Sequence, residues 1–151
     1  MQERKLMELA EAADNIAIVG HVRPDGDCVG SCLAVCNYIT EQYPEKTVDV
    51  YLETPPAKFS YLKQFERICS DPDTGNQYDL CICLDSGDRE RLGKNVVYLN
   101  TAKTSICIDH HITNQGYAAA NFVKADASAT CEALYDFLDE AKISRDVAEC
   151  I

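Results

Sequence analysis

The chain has 151 residues, a length suited to a single domain with a workable core, and 46% of them are hydrophobic, which argues against disorder. A formal net charge of -11 argues against a footprint on duplex DNA, which needs Lys and Arg gathered on one face. No apolar run approaches the ~20 residues of a membrane-spanning helix, and the charged start Met1-Gln2-Glu3-Arg4-Lys5-Leu6 lacks the apolar stretch of a signal peptide.

From Glu3 to Ala13, the spacing of Leu6, Met7, Leu9, Ala10 and Ala13 predicts an amphipathic helix. Ile16-Ala17-Ile18-Val19-Gly20 is a short apolar run and reads as a buried strand. A helix begins at Gly26 or Asp27 and runs to about Tyr43, stopped by Pro44. Val48 to Leu52 is a second strand, and Pro55-Pro56 marks the loop after it. Phe59, Leu62, Phe65 and Ile68 predict a short helix that ends near Asp71-Pro72. Tyr78 to Leu84 is a third strand, Val96-Val97-Tyr98-Leu99 a fourth, Ser105 to Ile108 another, and Ala119 to Val123 a short extended segment. Ser128 is expected to cap a helix reaching Glu140, with Glu132 in its first turns, and Ser144 to cap one more. Apolar strands alternating with helices predict an α/β domain over residues 1–151, with a mostly parallel sheet covered by helices on both faces.

Nine cysteines is a high and odd count. Cys28, Cys32 and Cys36 recur every four residues on one helix, Cys81 and Cys83 share a strand face, and Cys107 lies in an apolar strand, so these six read as small buried hydrophobes. No Cys-x-x-Cys pair supports a structural zinc site. A secreted disulfide framework belongs to shorter, loop-rich chains, so reduced cytoplasm is the expected compartment.

All three histidines lie beside aspartates where a predicted strand ends. His21 opens His21-Val22-Arg23-Pro24-Asp25-Gly26-Asp27, His110 and His111 follow Asp109, and the Leu80–Leu84 run meets Asp85. In parallel α/β sheets ligands bind outside the carboxyl ends of the strands, so these segments can converge on one crevice. Imidazole nitrogens with several carboxylates form a mixed N/O donor set that suits Mn²⁺, or Fe²⁺ and Zn²⁺ less selectively. His21 and Asp25 are expected to hold one ion, Asp27 and His110 a second, with Asp85 bridging both. Two such ions ~3.5–4 Å apart would clamp a phosphate and activate a water. His111, left over as a non-ligand, could donate a proton to a phosphate oxygen or leaving group, with Asp109 orienting a histidine from behind.

Lesser signals are weaker. Arg23 and Ser128 are candidate phosphate contacts, beside an ordinary salt bridge for the first and N-capping for the second. Thr130 and the start of its helix could likewise offer a hydroxyl and backbone N–H groups to a phosphate. Arg89 and Arg91 either line the cleft or face solvent. Gly26 and Gly30 do not make a dinucleotide fingerprint. Asp71-Pro72-Asp73-Thr74-Gly75 reads as a turn, because Ile82 stands where a calcium loop needs its bidentate Glu.

The ordered motifs carry a resemblance. His21-Val-Arg-Pro-Asp25-Gly-Asp27-Cys-Val-Gly30-Ser31, Leu84-Asp85-Ser86-Gly87-Asp88, Asp109-His110-His111 and Ser128-Ala-Thr130-Cys-Glu132 resemble those of the DHH phosphoesterase superfamily. The nearest branch is that of the NrnA-like oligoribonucleases and 3'-phosphoadenosine 5'-phosphate phosphatases. The resemblance runs from about Asn15 to the end. It implies two manganese ions held as above, His111 as the catalytic histidine, and water attack on phosphorus. It further implies a fourth motif with an aspartate for the second metal, and a separate C-terminal domain that grips substrate. The chain ends before both, and Asp126 and Asp136 do not match the missing ligand.

The reading is therefore a cytoplasmic metal-dependent phosphoesterase domain, acting on short RNA or nucleotide phosphates, with no membrane or duplex DNA partner and a homodimer open. As an isolated domain it is expected to be weakly active or inactive. Two alternatives stay open. One is a pyrophosphatase, exopolyphosphatase or cyclic-dinucleotide phosphodiesterase of the same superfamily; the other is a metal- or nucleotide-binding module without turnover.

Overall fold

The computed structural model describes residues 2–73 and 75–151, with side chains from Met7 onward. The expected place of Leu6 on a helix face, and that of Thr74 in its turn, lie outside the described residues.

Helix α1 (Gln2–Ala12) leads into strand β1 (Asn15–Val19), followed by helix α2 (Gly26–Gln42) and strand β2 (Thr47–Tyr51). Strand β3 (Ile68–Cys69) is two residues long. Strand β4 (Leu80–Leu84), helix α3 (Val96–Thr101), strand β5 (Thr104–Asp109) and strand β6 (Ala120–Val123) come next, then helices α4 (Thr130–Tyr135) and α5 (Arg145–Ala148). The six strands form one sheet in the order β3-β2-β1-β4-β5-β6, and every pairing is parallel. The expected α/β class is therefore the observed one.

Alternate residues of the central strands point to opposite faces. Ile16, Ile18, Leu80, Ile82, Leu84, Ile106 and Ile108 pack under α2 with Ala133, Leu134 and Val147 from α4 and α5. Ala17, Val19, Cys81, Cys83 and Cys107 face the other way and meet Tyr78, Tyr98 and Leu99. Every residue of α2 from Cys28 to Ile39 is buried, because the sheet lies on one side and α4 and α5 on the other. Gly30 allows this approach: a Cβ there would stand 2.3 Å from the Cys150 carbonyl oxygen. The thiols of Cys28, Cys32, Cys36, Cys81, Cys83 and Cys107 are free and buried, as expected.

Asp79 aligns the amino ends of the strands. Its Oδ2 accepts from the N–H groups of Asp14 and Asn15 at 3.0 and 3.2 Å, and its Oδ1 from Lys103 Nζ at 2.6 Å.

Three expectations fail locally. Val96–Leu99 is helix α3 rather than a strand; both flanks of β4 are already taken by β1 and β5. The helix expected around Phe59–Ile68 is two short 3₁₀ turns, Ala57–Phe59 and Phe65–Arg67, separated by Gln64 in a left-handed conformation (φ 71°), and Ile68 extends into β3. The helix after Ser128 is confined to Thr130–Tyr135, with a 3₁₀ turn at Glu140–Lys142, and Ser128 does not cap it. Its Oγ and N–H both bond the Glu132 carboxylate instead, at 2.6 and 2.7 Å. Ser144 does cap α5, accepting from Val147 N–H at 3.2 Å.

Candidate metal centre

The chain runs from β1 outward through β2 to β3, then returns to β4 and leaves through β5 and β6 on the other side. β1 and β4 flank the point where the direction reverses, and a crevice opens there beyond the carboxyl ends of the strands. His21 follows β1 by two residues, Asp85 follows β4 directly, and Asp109-His110-His111 ends β5. The same crevice receives the start of α2.

Asp85 stands between the two halves. Its Oδ2 lies 3.3 Å from His21 Nε2 and its Oδ1 lies 3.6 Å from His110 Nε2. His21 Nε2 is also 3.6 Å from Asp25 Oδ1, and His110 Nε2 is 3.6 Å from Asp27 Oδ2. The five residues expected as ligands thus lie in one continuous chain of contacts. Asp85 is 2% exposed and adopts a left-handed backbone (φ 57°), a conformation Asp tolerates better than most residues.

Local folding explains the aim of each group. Asp25 is the N-cap of α2, accepting from Cys28 N–H at 3.0 Å. His21 Nδ1 is 2.6 Å from the Val22 carbonyl. That contact calls for an N–H on Nδ1 and makes Nε2 the nitrogen that faces the carboxylates. Asp27 accepts the N–H groups of Thr130 and Cys131 at 2.9 and 3.0 Å, so the first turn of α4 is capped by a carboxylate from α2. The Thr130 hydroxyl donates to Asp85 Oδ1 at 2.9 Å. The hydroxyl and amides read as candidates for a phosphate are therefore already committed to Asp85 and Asp27.

The electrostatics fit a cation. Among the described residues no lysine or arginine lies within 4.0 Å of the carboxylates of Asp25, Asp27 or Asp85. The Asp85 carboxylate, helped by Cys28 and opposed by burial, pushes His21 from 6.5 up to about 11. Burial pushes Asp85 up, against the hydrogen bond from His21. Burial also opposes ionisation of Asp27, but the N–H groups of Thr130 and Cys131 outweigh it and hold this carboxyl below its ordinary value. Without a metal, a proton on His21 is the local counter-charge; a divalent cation among these donors would replace it.

His111 is arranged differently. Its Nδ1 lies 2.6 Å from Oδ1 of the fully buried Asp109, whose Oδ2 accepts from Asn114 Nδ2 at 2.8 Å. One ring nitrogen of His111 also falls within 4.8 Å of donor atoms on Asp85 and His110. Gly87 leaves room beside His111, since a Cβ there would stand 3.3 Å from the His111 Cβ, and it lines a cavity of about 430 Å³ with Arg89, Gln115 and Tyr117. Arg23 and Ser128 are both exposed, on the loop after His21 and just before α4. Arg91 is exposed as well, its guanidinium 3.4 Å from His21 Nδ1.

Residues 15–151 match the model of the DHH family, N-terminal domain. The chain belongs to the DHH family. This DHH domain is 31% identical over 150 residues to a Streptococcus mutans protein named as a probable bifunctional oligoribonuclease and PAP phosphatase NrnA, spanning 98% of the chain and 46% of that relative. It is 30% identical over 138 residues to the Bacillus subtilis bifunctional oligoribonuclease and PAP phosphatase NrnA, with 91% of the chain and 42% of the relative covered. The chain spans less than half the length of these curated relatives. The crystal structure of an exopolyphosphatase-related protein from Bacteroides fragilis superposes with a TM-score of 0.86 at 24% identity, over 99% of this chain and 47% of that one. That likeness is one of fold.

Two polar residues of the DHH domain's crevice escaped the sequence reading. The four-residue spacing places Cys28 in the core, yet its sulfur lies within 4.8 Å of donor atoms on His21 and Asp85. Thr130 was linked to phosphate rather than to Asp85. For Cys28 the available signal was its place directly after Asp27, in the first turn of α2. Nothing in the spacing links Thr130 to a residue 45 positions earlier.

Proposed function

We propose that this domain is a metal-dependent phosphoesterase that hydrolyses short oligoribonucleotides and 3'-phosphoadenosine 5'-phosphate in the cytoplasm, using two manganese ions. The observation that carries the reading is the position of the Asp85 carboxylate, with one oxygen toward His21 and the other toward His110. The names of the relatives support the substrate class.

His21, Asp25 and Asp85 would hold one ion, and Asp27, His110 and Asp85 the other. When bound, such ions polarise a phosphate and make water a stronger nucleophile. Everything else falls to the chain. Val22 holds the His21 ring in the tautomer that presents Nε2, and the Asp25 cap keeps that carboxylate over the first turn of α2. Asp109, steadied by Asn114, keeps a proton on His111 Nδ1, which defines the tautomer at the other nitrogen. In its protonated form His111 donates from that nitrogen to the leaving oxygen, and Arg23 and Ser128 meet the substrate from the exposed rim. The residues furnish ligands, a proton donor and a rim, the parts that phosphoester hydrolysis requires.

The test measures Mn²⁺-dependent release of mononucleotide from a ribodinucleotide and of phosphate from 3'-phosphoadenosine 5'-phosphate. Pyrophosphate, polyphosphate and a cyclic dinucleotide run alongside. Slow turnover of the first two, abolished in Asp85→Asn, is the expected result. Undiminished turnover in Asp85→Asn would overturn the role of Asp85, and preference for pyrophosphate or polyphosphate would overturn the substrate class.

A further inference from the structure

Sulfur has no part in the ligand set above, yet the Cys28 thiol lies against two of its members. Cys28 occupies the first turn of α2 and is fully buried. Its sulfur, a nitrogen of His21 and an oxygen of Asp85 all lie within 4.8 Å of one another. Among the described residues no other cysteine shares such a group with a histidine and a carboxylate. Two features seat it there. The Cys28 N–H is the donor that Asp25 caps, so thiol and carboxylate belong to one turn. Gly20 leaves the room: a Cβ at that position would stand 2.4 Å from the Cys28 sulfur.

A cation held by His21 and Asp85 therefore has a sulfur donor at hand as well as the Asp25 carboxylate. We propose, resting on the reading that His21 and Asp85 bind a cation, that Cys28 is a further ligand of that ion and gives this position a preference for zinc over manganese. One imidazole, two carboxylates and a thiolate make four donors of the kinds zinc accepts. Thiolate is a soft ligand that favours zinc, whereas manganese is served by carboxylate, water and imidazole. On binding, the Cys28 S–H bond breaks, its electron pair becomes the metal–sulfur bond, and the proton leaves to solvent. At the position between Asp27 and His110 the neighbouring thiol is that of Cys131, which lies 3.6 Å from the Asp27 carbonyl oxygen and, among the described residues, joins no group with a histidine and a carboxylate, so the donors there stay nitrogen and oxygen. The preference decides which ion takes the position at His21 and Asp85 when zinc and manganese compete; supplied alone, manganese still fills both positions.

The experiment uses the metal-stripped chain. One equivalent of Co²⁺ is added and the near-ultraviolet sulfur-to-cobalt charge-transfer band is recorded, with bound cobalt measured by dialysis. The wild type gives the band; Cys28→Ser binds cobalt without it, and its zinc affinity relative to manganese falls about tenfold or more, as loss of a supporting group at a metal site does. Cobalt bound by the wild type without the band, or a band that persists in Cys28→Ser, overturns the role of Cys28 and leaves the cation reading standing. No cobalt binding by the wild type overturns the cation reading itself. If Cys28→Ser does not fold, zinc X-ray absorption on the wild type decides: one sulfur at ~2.3 Å supports the proposal, and a shell of nitrogen and oxygen alone at ~2.0–2.2 Å overturns it.

Discussion

The Thr130 hydroxyl offers a sharp test of how the centre is supported, because its partner is a buried carboxylate. Thr130 is 0% exposed, Asp85 2% exposed, and the bond between them is 2.9 Å. Thr130→Val keeps the branched shape and removes only the donor. A hydrogen bond to a charged group contributes about 1.5–3 kcal/mol, and a buried acceptor left without its donor loses that in full. For a domain of this size each kcal/mol corresponds to about 2–4 °C, so the melting temperature of the metal-free protein should fall by about 3–12 °C. Thr130→Ser keeps the hydroxyl and loses a methyl, and should fall by less. Removing this donor also takes away an interaction that favours ionised Asp85, so burial drives its proton affinity further up and weakens cation binding. Urea unfolding of both variants, with calorimetric Mn²⁺ titration, gives the comparison. If Thr130→Val proved as stable as the wild type and Thr130→Ser the weaker of the two, the methyl would matter and the hydroxyl would not.

Gly30→Ala should lower stability by about 1–3 kcal/mol, because its Cβ would meet the Cys150 carbonyl at 2.3 Å and push α5 from α2; an unchanged urea midpoint would contradict that packing. Asp79 is held down from 3.8 to about 2, chiefly by Lys103 and then by the N–H groups of Asp14 and Asn15. Its stabilisation is present above the unfolded value and is lost as pH falls through the folded one. Asp79→Asn should therefore be less stable than wild type at neutral pH and converge with it near pH 2, measured by urea midpoints across that range; parallel curves would refute the assignment. Asp109→Asn should release the Nδ1 proton of His111, seen in the ring ¹⁵N shifts, and cut turnover by about 10²-fold or more with cation affinity little changed. An unaltered tautomer would contradict the bond to Asp109.

How much of this was legible depended on whether the deciding contact lay nearby along the chain. Apolar runs at β1, β4 and β5 announce buried parallel strands, and a His or Asp after each points to the sheet's carboxyl edge. Val96–Leu99 is an apolar run like those strands, but β4 is already flanked by β1 and β5, and the segment coils into α3 against the opposite face. Between Phe59 and Ile68 the apolar spacing was helical, yet the left-handed Gln64 breaks the run. Capping was legible where it was local, as at Ser144, and hidden where it was not, as at α4. The thiol of Cys28 was legible as buried; what it is buried beside required the fold.

The carboxylate of Asp27 spans 103 residues to reach the N–H of Thr130. That span ties occupancy of the crevice to the order of a short helix far along the chain. Any ligand that draws this carboxylate toward itself competes with two peptide donors for the same oxygens. By reciprocity, whatever factor occupancy of the crevice exerts on the order of α4, an ordered α4 exerts on affinity in the crevice. Substitutions on the outer surface of that helix, such as at Tyr135, thereby become a remote means of tuning the centre without touching a single ligand.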